Sequence, residues 1–96
     1  MKILALEKQI KTVNWENEQE TLIEEAKSVY NLFLRGHLRE IYFTESHNVV
    51  LILECENKDI AVDLLGELPL VKNKIVEFEL IELKPYTGLS RLFKDK

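Results

Sequence analysis

A chain of 96 residues makes one domain, residues 1–96. At this size folding buries only about 60–65% of the unfolded surface, so a lone copy has a thin core. Hydrophobic residues are 46% and charged residues 31%, the balance of a water-soluble globular protein, and a net charge of −4 argues against nucleic acid and anionic membranes as main partners. A single cysteine, Cys55, permits no intramolecular disulfide, and the longest apolar run, VVLIL, is far short of a membrane span, so the expected location is cytoplasmic.

The opening MKILALEK is interrupted by Glu7 and lacks a small-residue cleavage site, so residues 2 to 9 are expected to form a first strand, not a leader peptide. Residues 10 to 17 are polar except for Val13 and Trp15 and form a connection. Asn17 with Glu20, or Thr21 with Glu24, offers a capping box for a first helix. Its apolar stripe is expected at Leu22, Ile23, Ala26, Val29, Tyr30, Phe33 and Leu34, ending at Arg35 with Gly36 as the left-handed cap.

A second strand runs from about His37 to Thr44, ESHN turns the chain, and VVLILECE is a third strand. Asn57 can cap a second helix that buries Ile60, Ala61, Leu64, Leu65 and Leu68 and stops at Gly66 and Pro69. KIVEFELIEL is a fourth strand, broken by Pro85, and residues 85–96 form a tail. The order β-α-β-β-α-β predicts an α+β, ferredoxin-like fold, an antiparallel sheet with two helices on one face.

Strands two and three form a hairpin. If Thr44 faces Val49, then Phe43 faces Val50, Ile41 faces Ile52, and Arg39 faces Glu54, a register that matches apolar partners and opposite charges. Leu38 and Tyr42 then lie on the helix side with Val49, Leu51, Leu53 and Cys55. Ile41, Phe43, Val50 and Ile52 lie on a face that no helix covers. A second copy is the simplest cover, so the expected assembly is a sheet-to-sheet homodimer or a higher homo-oligomer. The tail is expected to dock on that dimer through Leu89, Leu92 and Phe93, which share one side of a helical turn.

In that arrangement Arg39 and Glu54 form the polar mouth of an apolar space. Arginine holds carboxylates bidentately and a partly buried glutamate can act as a general base, so the two are the candidate catalytic pair, with Arg39, His37 and Tyr42 as candidate ligand-binding groups. Each has a plainer reading: a structural ion pair for Arg39 and Glu54, a solvated histidine for His37, and a core tyrosine with one hydrogen bond for Tyr42. Two histidines ten residues apart and one cysteine make no metal-ligand set, and no glycine-rich phosphate loop is present, so no metal or cofactor is expected.

The segments LRGHLREIYF, LILECEN, LGELPLV and IELKPYTGLSRLF, in this order over nearly the whole chain, resemble the muconolactone isomerase-like proteins of the dimeric α/β-barrel superfamily. The resemblance implies a ferredoxin-like protomer paired face to face. It implies proton transfer on a lactone ring without metal or organic cofactor, and a small anionic or lactone ligand. Glu54 matches a position where those enzymes carry an acidic residue. HLREIYF stands where the true isomerases have a strand rich in tryptophan and arginine, which sets this chain nearer to their uncharacterised relatives. The alternative from a different class is a non-catalytic module that binds a small ligand or a partner on the same fold.

Overall fold

The computed structural model describes residues 1–93. Four strands, β1 (Lys2–Gln9), β2 (Leu38–Phe43), β3 (Val49–Glu54) and β4 (Val76–Leu83), form one antiparallel sheet in the order β2-β3-β1-β4. Between them lie α1 (Gln19–Leu34), α2 (Lys58–Gly66) and a single turn, α3 (Pro69–Lys72). The α+β class and the ferredoxin-like order are those predicted. Among the described residues no helix is long and apolar enough to cross a membrane.

Local chemistry explains most of the element ends. Neither expected capping box is used at α1. Asn14 instead accepts a hydrogen bond from the Glu16 N–H and starts a 3-10 turn, Trp15–Glu18, that runs into α1. Gly36, at φ +81°, closes α1 as predicted: its N–H donates to Phe33 and the His37 N–H to Leu32, so two of the last carbonyls are satisfied. Asn57 caps α2 by accepting from the Ile60 N–H at 2.9 Å. Pro69 stops α2 but sits at the first position of α3, where its missing N–H costs nothing.

Alternation fixes the two faces of the sheet. Ile3 and Ala5 of β1 pair with Leu53 and Leu51 of β3, and all four are buried beneath the helices with Leu32, Ala61, Leu64, Leu65 and Leu68. A smaller cluster of Leu70, Ile75 and Val76 packs with Val13, Trp15 and Leu22. The opposite face carries Leu4, Leu6, Val50, Ile52, Ile81 and Leu83, of which Ile52, Leu4 and Ile81 lie in register across three strands; Lys2, Lys8, Glu54, Glu77 and Glu79 share this face, and no element of the described chain lies over it.

The hairpin register differs from the expected one by a residue. Phe43 faces Val49, Tyr42 faces Val50, and Ile41 faces Leu51. The cause is the turn. Thr44 pairs with Asn48 through the backbone, leaving a three-residue loop, and His47 takes the left-handed conformation at φ 62°. Thr44 Oγ1 accepts from the Ser46 and Asn48 N–H groups and holds the turn. Ile41 and Phe43 therefore share the helix side with Leu51, and Tyr42 lies on the open face, the reverse of the expectation. A bulge at Arg39 then returns Leu38 to Leu53, so Arg39 is the unpaired residue and does not face Glu54.

Candidate functional site

On the helix side, α1 buries only Leu32. Its inward meridian runs through Leu22, Glu25, Val29 and Leu32, rotated from the expected stripe, which leaves Ile23, Tyr30 and Leu34 about 60% exposed. Because α1 stands off the β2–β3 end of the sheet, a cavity of about 650 Å³ opens between them. That volume is in the range of small-molecule sites. Ile41, Phe43, Leu51 and Phe78 form its sheet wall, and Ala26, Val29, Tyr30 and Phe33 its helix wall. Trp15, Leu68 and Leu70 close one side, and His47 and Asn48 of the hairpin loop stand on the other. The cavity thus borders both apolar clusters.

Two carboxylates line this apolar space. Glu7 follows Ile3 and Ala5 on the helix-side face of β1, and its Oε1 accepts from the Val49 N–H at 3.0 Å. Glu25 reaches in from α1, half-buried, and its Oε1 accepts from the Leu70 N–H at 3.0 Å. Burial raises the Glu25 carboxyl above its ordinary value; the hydrogen bond from Leu70 lowers it in part, and the charge of Glu7 raises it again. A glutamate so displaced is a stronger base than one in water and gives up its proton nearer to neutral pH. Each carboxylate retains one oxygen beyond its backbone bond.

The four residues singled out in the sequence lie elsewhere, and none lines the cavity. Glu54 is half-exposed and ion-paired with the N-terminal ammonium of Met1 at 2.9 Å. The hydrogen bond from that ammonium holds its carboxyl below the usual value against a partial desolvation, and the charges of Met1, Arg39 and Lys2 add to the lowering. The direction is the wrong one for a general base at neutral pH. Arg39 is exposed on the bulge, near enough for its charge to act on Glu54. Tyr42 donates to Glu40 Oε1 at 2.6 Å on the open face, a bond that raises its phenol pKa. His37 serves through its backbone, donating to Leu32 and accepting from the Glu54 N–H at 2.8 Å.

Glu7 and Glu25 were missed, yet both had a signal. Glu7 continues the period-2 set Ile3, Ala5 on the buried face. Glu25 stands three residues after Leu22 and four before Val29, on the same helical face. Cys55 is buried, and burial raises its thiol pKa, which leaves it a poor nucleophile. Among the described residues no group of three or more histidine, cysteine, aspartate or glutamate side chains is placed to hold a metal ion. No family model matches the chain, and no curated protein sequence matches it.

Proposed function

We propose that this chain is a small-molecule-binding protein of the muconolactone isomerase-like kind. Its site is the cavity between α1 and the sheet, and its chemistry is cofactor-independent proton transfer on an apolar carbonyl compound such as a lactone. The observation that carries this reading is Glu25, a half-buried carboxylate on the wall of an apolar cavity with its pKa raised. The resemblance in LGELPLV and IELKPYTGLSRLF supports the kind of protein but not the choice of Glu25, since the position it matches is Glu54.

In this reaction the Glu25 carboxylate takes the proton from the carbon α to the carbonyl. A C–H bond breaks, an O–H bond forms, and the electron pair passes to the enolate oxygen. Returning that proton at a conjugated carbon moves the double bond and restores the carboxylate. Asn48 lines the same cavity, and in this proposal its side-chain amide donates to the enolate oxygen. With two carboxylates in its walls the cavity disfavours a free carboxylate ligand, so the reading takes the lactone and not the acid.

The protomer acts as a homodimer in this proposal. Leu4, Leu6, Val50, Ile52, Ile81 and Leu83 leave an apolar patch on the open sheet face, bordered by charged residues, that a second copy would cover, as in a dimeric α/β barrel. A second reading, a binding module without catalysis, draws on one observation: Glu7 and Glu25 each spend an oxygen on a backbone N–H, as structural carboxylates do.

Deuterium exchange into a panel of butenolides and saturated γ-lactones, followed by proton NMR in heavy water, separates the two. Proton transfer predicts exchange at the α-carbon by the wild type, lost in Glu25→Gln and kept in Glu54→Gln. Binding without exchange across the panel selects the module. Exchange that survives in Glu25→Gln and is lost in Glu54→Gln returns the chemistry to the Arg39–Glu54 end of the sheet.

A further inference from the structure

The charge and the aromatic content of the cavity together specify a ligand class more narrowly than its volume does. Trp15, Tyr30, Phe33, Phe43 and Phe78 all contribute to its walls. Glu7 and Glu25 enter from opposite walls, one from the sheet and one from the helix. No lysine or arginine is among the described residues that line it; His47 is the sole histidine there. Aromatic faces and carboxylates attract the same kind of group, an organic cation with a weakly hydrated apolar surface. The cavity also opens to solvent past Tyr30 and Phe43, which are 62% and 67% exposed, so a cationic head need not be stripped of all its water.

We propose that this cavity selects hydrophobic amines in their cationic form, the apolar body lying against the aromatic walls and the ammonium between Glu7 and Glu25. The inference rests on the cavity being the ligand site and specifies its ligand. A carbonyl compound that carries an amine meets this demand and that of proton transfer at Glu25 together.

Trp15, the single tryptophan, lines the cavity and makes its fluorescence a direct reporter of occupancy. The probes are phenyltrimethylammonium, its uncharged isostere tert-butylbenzene, and the anion 4-tert-butylbenzoate, titrated into the full chain at low salt. The expected order is cation, then neutral compound, then anion, with the cation bound roughly ten-fold more tightly than its isostere. Glu7→Gln with Glu25→Gln, which keeps both backbone acceptors, should bring that ratio to about one by removing the charge alone. If the double variant loses its folded circular dichroism, each single variant should lower the ratio by itself.

Equal or tighter binding of tert-butylbenzene by the wild type overturns the charge selection but leaves the cavity standing as an apolar site. A preference for the cation that survives removal of both carboxylates overturns it as well. Failure of all three probes to perturb Trp15 overturns this inference and the cavity reading together.

Discussion

Glu25 holds its proton more tightly in the folded chain than in the unfolded one, because burial disfavours its charged form. A carboxyl with a raised folded pKa adds stability that is fully present below the ordinary glutamate value and is lost as pH rises through the raised value. Glu25→Gln keeps the acceptor for the Leu70 N–H and removes the charge. The variant should therefore be the more stable at pH 7 in urea unfolding, with the difference shrinking as pH falls through the acid range. A wild type as stable as the variant at pH 7 would show that the carboxylate is not strained by its burial. His47 stores a different strain, a non-glycine side chain at φ 62°. His47→Gly should raise stability by about 0.5–1 kcal/mol, read from the same urea midpoints, since the left-handed conformation costs a β-carbon about 1–2 kcal/mol and glycine recovers part of it. A loss of stability would mean that the ring of His47, 5.5 Å from that of Phe43, contributes more than the backbone loses.

At the scale of elements, most of the fold was legible and most of the site was not, for one physical reason. Strands and helices declare themselves by apolar periodicity, and caps by single residues such as Asn57 and Gly36. Asn57→Ala should accordingly cost about 1 kcal/mol by thermal unfolding. The pairing of β2 with β3 depends on something local and less regular. A three-residue loop closed by a left-handed histidine is hard to anticipate where glycine or asparagine is the usual occupant, and it shifts every partner by one. That shift moved Ile41 and Phe43 to the cavity and Tyr42 away from it. The Arg39 bulge was hidden as well, because charge matching with Glu54 offered an attractive alternative. If Arg39 is the extra residue of a bulge, its deletion leaves Leu38 opposite Leu53 in a regular ladder. The deletion variant should then fold cooperatively, with the strand amides of Leu38 and Leu53 keeping their contact in NMR spectra; an unfolded variant contradicts the bulge. The rotation of α1 was masked by abundance, since Ile23 and Leu34 are as apolar as the residues that turn inward.

At the scale of the molecule, two apolar surfaces remain uncovered among the described residues. One is the open sheet face. The other is the tail, where a 3-10 turn, Gly88–Phe93, leaves Leu89, Leu92 and Phe93 between 59% and 80% exposed. Residues 94–96 of the expected docking segment lie outside the described residues. Sheet-to-sheet pairing predicts a dimer in sedimentation at micromolar concentration, and Ile52→Glu should prevent it, since an unpaired charge buried in that interface costs several kcal/mol. Deleting residues 86–96 should weaken the same association if the tail docks on the second copy; unchanged association would leave the tail without that role.

In the proposed function, ligands enter between α1 and the β2–β3 hairpin and not at the Arg39–Glu54 end of the sheet. Backbone amide shifts of the full chain, recorded while γ-nonalactone is titrated in, test this most directly. With the ligand in the cavity, the perturbed amides should cluster at Glu25, Val29, Phe33, Phe43, His47 and Val49. Perturbations centred on Arg39, Glu54 and Lys2, with the α1 amides unmoved, would contradict it.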